Sequence, residues 1–186
     1  MIQFSLFPTS VGTCGIAWGP NGIRTVFLPE ASEEQTQARL LRRLPTARRA
    51  AAPAAVQQVI DDIVALLRGE PRHLRQAPLD LQGTPAFAQR VYEVARTIEP
   101  GCTLSYGEVA ALCGDRNEAR AVGQALGSNP FPIIVPCHRV LAAGGRSGGF
   151  SAPGGIVTKL RLLQLEGWPR SPQSGVPASG NLALPF

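Results

Sequence analysis

Three prolines within seven residues, Pro130, Pro132 and Pro136, restrict this chain more than any other feature. Each fixes its own φ and removes a backbone donor, so the segment cannot be helical. Only the apolar run Ile133–Val135 is left between them, and it reads as a short buried strand or a tight extended segment. It delivers Cys137 and His138 to a rigid position.

Upstream, the hydrophobic period changes once. Ile2–Phe7, Val11–Trp18 and Ile23–Leu28 alternate as strands do, and Pro20-Asn21-Gly22 is a hairpin cue. Ser32-Glu33-Glu34-Gln35 reads as a capping box that opens a helix running to Leu41. Val56, Ile60, Ile63 and Leu67 recur at helical spacing, with Gly69 as the stop. Thr84-Pro85 supplies an N-cap and first turn for a helix striped by Phe87, Val91, Ala95 and Ile98, ending near Gly101. A second capping box, Ser105 to Glu108, opens a short helix, Glu108–Cys113. Gly114 breaks it before another helix at about Glu118–Leu126. Two short helices joined by a glycine-containing turn have the helix-turn-helix shape, a weak signal when alone. After the prolines come a Gly-rich loop, Gly144–Gly155, and a helix through Leu160, Leu163 and Leu165, stopped by Glu166-Gly167.

The expected organisation is an α/β unit over residues 1–82, with a short antiparallel sheet plus helices. A mostly α-helical domain over 83–168 carries the helix-turn-helix, and a Pro/Ser/Gly-rich tail, expected to be flexible, covers 169–186.

Composition narrows the classes. At 44% hydrophobic and 17% charged residues the chain is not wholly disordered. No apolar run approaches the roughly 20 residues that cross a bilayer. Met1-Ile2-Gln3-Phe4 does not begin a secretory signal, so the expected location is the cytoplasm. The net charge of +5 comes almost wholly from arginine, Lys159 being the only lysine. Arginine suits phosphate contacts and base stacking, yet GC-rich codon usage enriches it too. Arg39, Arg42, Arg43, Arg48 and Arg49 accordingly read as a solvated basic face or as a phosphate contact. Cys14, Cys102, Cys113 and Cys137 contain no C-x-x-C pair and are expected as free thiols. With His73 and His138 as the only histidines, no metal site is expected.

The pairing of Cys137 with His138 is the chemically suggestive one. A free thiol has a pKa of about 8.5, so little thiolate exists at neutral pH, and a nucleophilic cysteine needs a base. Adjacent side chains on an extended chain point apart, so His138 requires a local turn or a bound water to serve Cys137. The acid that orients the imidazole must come from elsewhere, and Glu166 at a helix end is the candidate. On the residues alone, a buried structural cysteine and a catalytic one both stand.

Pro136-Cys137-His138-Arg139-Val140 resembles the acceptor-cysteine signature of the O6-alkylguanine-DNA alkyltransferases, also called methylated-DNA–protein-cysteine methyltransferases. Ser105-Tyr106, Ala119-Arg120-Ala121-Val122, Asn129-Pro130 and Leu165-Glu166-Gly167 match that family in order. The resemblance is close over Gly83–Gly167 and loose before it, where it implies a ribonuclease-H-like unit.

The resemblance implies a role for each matching residue. Cys137 accepts the alkyl group by in-line displacement, His138 takes the thiol proton through a water, and Glu166 holds the imidazole tautomer. Asn129 fixes the turn beside the cysteine. Tyr106 donates to the departing purine and lies near the 3′ phosphate. Arg120 fills the gap left by the extruded nucleotide, while Ala119, Ala121 and Gly123 keep that helix face slim for the minor groove. Pro132, Val140, Phe150 and Ser151 would wall the base pocket. Phe150-Ser151-Ala152-Pro153 departs from the family's Tyr-Ser-Gly-Gly, so Phe150 can stack on a base but lacks a hydroxyl. The implied protein is a monomer without cofactor or metal. It acts once, on double-stranded DNA carrying O6-alkylguanine, with O4-alkylthymine as a second candidate substrate. Rival readings are a lesion-binding protein without transfer activity, against which Cys137 argues directly, a regulator on the same fold, and a cysteine hydrolase using Cys137-His138.

Overall fold

The computed structural model describes residues 1–145, 149–150 and 152–168. The alternating segments form β1 (Gln3–Thr9), β2 (Gly12–Gly19) and β3 (Gly22–Phe27), joined by tight hairpins. At the second hairpin Gly22 has a φ of 123°, and a Cβ there would lie 2.6 Å from the Pro78 carbonyl oxygen, so only glycine fits. Helix α1 (Glu33–Arg43) starts at Ser32, whose Oγ accepts from the Gln35 N–H. A two-residue strand, β4 (Arg48–Arg49), then pairs in parallel with β1 to give the order β3-β2-β1-β4. The sheet is therefore mixed rather than purely antiparallel. Backbone groups alone make this edge: Arg48 N–H donates to Ile2 and Ala50 N–H to Phe4.

Both faces of the sheet are covered, as its period-two alternation requires. Phe4, Ala17 and Phe27 pack with Leu40 of α1. Cys14, Ile16, Trp18, Ile23 and Val26 point the other way, into a cluster with Ile60 and Ile63 of α2 (Ala54–Leu67). That cluster continues without a break into the helical half through Val91, Val109, Val122 and Phe131.

Helix α3 (Ala86–Thr97) buries Val91 and Ala95, while Phe87 is only half-buried. Pro85 rather than Thr84 occupies its cap position, without a side-chain cap bond. The Ser105–Glu108 box forms in full, with Glu108 N–H donating to Ser105 Oγ and Ser105 N–H to Glu108 Oε2. It starts α4 (Tyr106–Leu112) two residues earlier than expected and puts Tyr106 at the first helical position. A 3-10 turn, Arg116–Glu118, leads to α5 (Ala119–Gly127), which rests on α3, where the Tyr92 hydroxyl donates to the Ala125 carbonyl.

The proline segment is not a strand. Val135 N–H donates back to Phe131, Cys137 N–H donates to Val135, and Ile133 holds a φ of 75°. A β-branched residue reaches that region only at a cost of about 1–3 kcal/mol, so its surroundings must hold it. Asn129 does so from inside the turn: its Nδ2 donates to Val135 O at 2.9 Å and its Oδ1 accepts from Phe131 N–H at 2.9 Å. From outside, the edge of β3 anchors the segment, with Val26 N–H and Thr25 Oγ1 both donating to Pro130 O. The chain leaves through a 3-10 turn, Cys137–Arg139, and pairs β6 (Val140–Leu141) in parallel with β5 (Leu104–Ser105), directly before α4. Helix α6 (Gly155–Leu165) ends in front of Gly167, whose φ is 78°. Among the described residues no helix is long and apolar enough to cross a membrane. Residues 169–186, expected to be flexible, lie outside the described part.

Candidate active site

The 3-10 turn supplies what an extended chain could not. Within three residues it presents Cys137 to the surface and turns His138 and Arg139 inward, where they are buried. Glu166, at the C-terminal end of α6, meets both. Its Oε1 accepts from His138 Nε2 at 2.9 Å and from Arg139 Nη2 at 2.7 Å, and its Oε2 accepts from Arg139 Nε at 2.9 Å. The Arg139–Glu166 contact is a bidentate, charge-assisted pair, and Arg139 Nη1 is satisfied by the Ile98 carbonyl.

The electrostatics follow from these contacts. Burial works to raise the Glu166 pKa, but hydrogen bonds and charge from His138 and Arg139 prevail and bring it to about 2. A carboxylate so firmly ionised can only accept, so His138 Nε2 carries the proton. Burial lowers the His138 pKa against the pull of Glu166, which keeps the ring neutral at physiological pH. Its Nδ1 is buried with no partner among the described residues, and in this tautomer it bears the free lone pair. For Cys137, burial raises the thiol pKa, while the Asn129 side chain, the Lys159 charge and local backbone N–H groups oppose the rise.

Cys137 is half-buried and borders two cavities. One, of about 500 Å³, is walled by Tyr106, Gly123, Leu126, Gly127 and Phe150. The other, of about 420 Å³, lies toward the sheet and is bordered by Pro132, Asn129, Phe150, Arg39 and Arg43. Tyr106, half-buried at the start of α4, has its hydroxyl pKa raised by burial and by the Cys137 charge, so it stays protonated. Gly123 faces it, with room for a Cβ at an ordinary 3.9 Å from the Tyr106 ring.

The expected residues are distributed as follows. Cys137, His138, Glu166 and Asn129 converge, and Tyr106, Gly123, Pro132 and Phe150 border the cavities. Val140 does not: its side chain is sealed in the core because β6 pairs there, and only its carbonyl takes part, accepting from Lys159 Nζ. Ala119, Arg120 and Ala121 sit on the first turn of α5 and border neither cavity, with Arg120 exposed. Ser151 lies outside the described residues. Of the arginine-rich stretch, Arg39 pairs with Glu30 and Arg49 with Glu33. Cys14 is fully buried, whereas His73 pairs with Glu99 at the surface.

Two participants carry no distinguishing signal of their own in the sequence. Arg139, seen there only as part of a five-residue signature, is the clamp on Glu166. Lys159 is buried behind the Tyr106 ring, with Nζ 5.8 Å from the ring centroid.

Known proteins share this arrangement's sequence and shape. Residues 86–168 match the family model described as 6-O-methylguanine DNA methyltransferase, DNA binding domain. The chain is 33% identical over 153 residues to the methylated-DNA–protein-cysteine methyltransferase of Methanothermobacter thermautotrophicus, covering 82% of this chain and 78% of that one. It is 46% identical over 114 residues to the protein of the same name from Mycobacterium tuberculosis, covering 61% and 67% of the two chains. The fold superimposes on the crystal structure of Mycobacterium tuberculosis OGT in complex with DNA with a TM-score of 0.70 and 34% identity, over 88% of this chain and 92% of that one. A glutamate-locked histidine beside a cavity-facing cysteine, on a chain with these relatives, belongs to the methylated-DNA–protein-cysteine methyltransferase family.

Proposed function

We propose that this protein repairs DNA by moving the alkyl group of O6-alkylguanine onto the sulfur of its own Cys137, once per molecule. The observation that carries this reading is the 2.9 Å contact between His138 Nε2 and a permanently ionised Glu166, directly behind a cysteine that fronts an open cavity.

The steps follow from the charges. His138 Nδ1, the free basic nitrogen, draws the thiol proton through one water. The thiolate attacks the alkyl carbon in line; an S–C bond forms, the C–O6 bond breaks, and its electron pair passes into the purine. The Tyr106 hydroxyl, kept protonated, hydrogen-bonds the purine anion as charge develops. Guanine recovers a proton from the imidazolium side through solvent, so protons balance. Nothing in the site attacks the resulting thioether, and the sulfur stays alkylated.

A base in a duplex cannot reach Cys137, so the nucleotide is flipped into the cavity beside Tyr106 and Phe150, at a cost of a few kcal/mol. In this reading α4 and α5 act as a helix-turn-helix in the minor groove, and Arg120 replaces the extruded nucleotide in the stack. The small residues Ala119, Ala121 and Gly123 in the first half of α5 support close approach. Residues 83–168 carry the chemistry, and residues 1–82, ribonuclease-H-like in this reading, brace it through Pro130. The protein works as a cytoplasmic monomer without cofactor, and O4-alkylthymine is the second candidate substrate.

The test is to mix the protein with a duplex carrying O6-methylguanine and to weigh both the intact chain and its peptides. One added methyl group on Cys137, absent in Cys137→Ala, is the expected result. Tight binding with no mass gain would instead identify a lesion-binding protein.

A further inference from the structure

Lys159 is the only lysine of the chain, and it is completely buried on α6. An ammonium taken out of water needs acceptors and a counter-charge. Among the described residues its Nζ has one hydrogen bond, to Val140 O at 2.7 Å, and it lies 5.8 Å from the centre of the Tyr106 ring. Among the described residues no carboxylate pairs with it, because Glu166, the acid of the site, is taken up by His138 and Arg139. Tyr106 of α4 lies against it, and α6 packs on the 3-10 turn whose Cys137 and His138 are the other groups in its field that can carry charge. Of these, His138 is neutral at rest and Tyr106 stays protonated, while Cys137 becomes an anion when its thiol proton passes to His138.

We infer that Lys159 is the counter-ion of the Cys137 thiolate, held between the Val140 carbonyl and the Tyr106 ring so that the sulfur keeps its charge once His138 has taken the proton. The attraction acts in both directions: the ammonium favours the ionised sulfur, and the ionised sulfur favours the ammonium. Once the thiol proton has passed to His138, the pair is neutral as a unit. When the sulfur becomes a thioether its negative charge leaves with the purine, and a buried cation remains with, among the described residues, one carbonyl and one ring face. Alkylation therefore removes the thiolate counter-charge for good, and Lys159 loses its proton more readily than it does beside the thiolate. This last consequence rests on the alkyl-transfer reading; the pairing itself does not.

Two measurements test the pairing. The first is the pH profile of carboxamidomethylation of Cys137 by iodoacetamide, followed by peptide mass so that Cys102 and Cys113 do not interfere. Lys159→Met is expected to move the profile up by about one pH unit, a roughly tenfold slower reaction at a fixed pH on the rising limb. Lys159→Arg, which keeps the charge, is expected to restore most of it. An unchanged profile in folded Lys159→Met overturns the inference.

The second measurement needs no change at Lys159. Lysine-selective isotope labelling gives a single side-chain signal in this chain. Its titration midpoint is expected to fall by about one unit in Cys137→Ser, and an equal midpoint in the two proteins overturns the pairing. Absence of methyl transfer in the duplex experiment would defeat the functional reading while leaving both of these results standing.

Discussion

The two sides of Cys137 are built on opposite lines. Behind it, His138, Arg139 and Glu166 have side chains that are 1%, 6% and 3% exposed, and their polar atoms are joined to one another or to backbone, His138 Nδ1 having no partner among the described residues. In front of it, half-buried Tyr106 and Phe150 and the bare backbone of Gly123 and Gly127 enclose about 500 Å³ of open space. The rear is complete before any substrate arrives, and the front is completed by the substrate. Charge is thus arranged in advance where a proton must move, and room is kept where a base must fit.

Breaking the rear should have the largest effect. Arg139→Met leaves a buried carboxylate with His138 and a long contact from the Gly101 N–H, and is expected to cost about 3–5 kcal/mol in denaturant unfolding. Transfer should slow at the same time, because a Glu166 carboxyl that is no longer clamped releases the tautomer lock. A loss under 1 kcal/mol would mean that the clamp is ornamental.

Asn129→Ala attacks the join between the two sides. It removes both bonds that hold the turn around Ile133, and each group left unpaired costs about 1–3 kcal/mol. Lower stability is expected together with slower transfer, read by unfolding and by single-turnover mass gain. Retained stability with slowed transfer would confine Asn129 to the chemistry.

Acid should weaken the rear through Glu166 and His138. Glu166 has a folded pKa of about 2, below the unfolded value near 4.3, so its contribution is present above about pH 4 and lost as pH falls toward 2. His138 is also lowered in the fold, so the unfolded chain binds its proton first, and stability declines as pH drops below about 6.5. Unfolding curves between pH 7 and pH 3 should therefore show stability falling throughout. In His138→Gln the upper part of that slope should vanish and the lower part should remain.

At the front the effects should be smaller and confined to rate. Tyr106→Phe removes a hydroxyl from an open wall, and about a tenfold slower transfer with unfolding changed by less than about 1 kcal/mol is expected. A stability loss as large as that of Arg139→Met would erase the distinction between the two sides.

The same division governs what could be read in the sequence. The three long strands, α1, α2 and the Ser105–Glu108 cap follow from period and capping chemistry, which are local. Strand β4 does not, because Arg48 and Arg49 have no strand pattern and pair only through backbone offered by β1. The run Ile133–Val135 is apolar enough for a strand, but the prolines beside it withhold ladder donors, and Asn129 supplies a side-chain substitute that no pattern announces. At the site, Cys137, His138 and Glu166 were legible through a motif and a helix end. Arg139 and Lys159 were not, since a charged residue is by default a surface residue. Burial of Arg139 depends on Glu166, 27 positions away, and that of Lys159 on Val140 and Tyr106. Val140 erred in the opposite sense, as a motif residue whose side chain the fold needs for packing.

The prepared state of the rear wall can be observed directly in the nitrogen chemical shifts of His138 at neutral pH, in protein that has met no DNA. A neutral ring protonated at Nε2, with a bare Nδ1, is the predicted result. An imidazolium, or a ring protonated at Nδ1, would contradict the account, because no base would then stand ready for the Cys137 thiol.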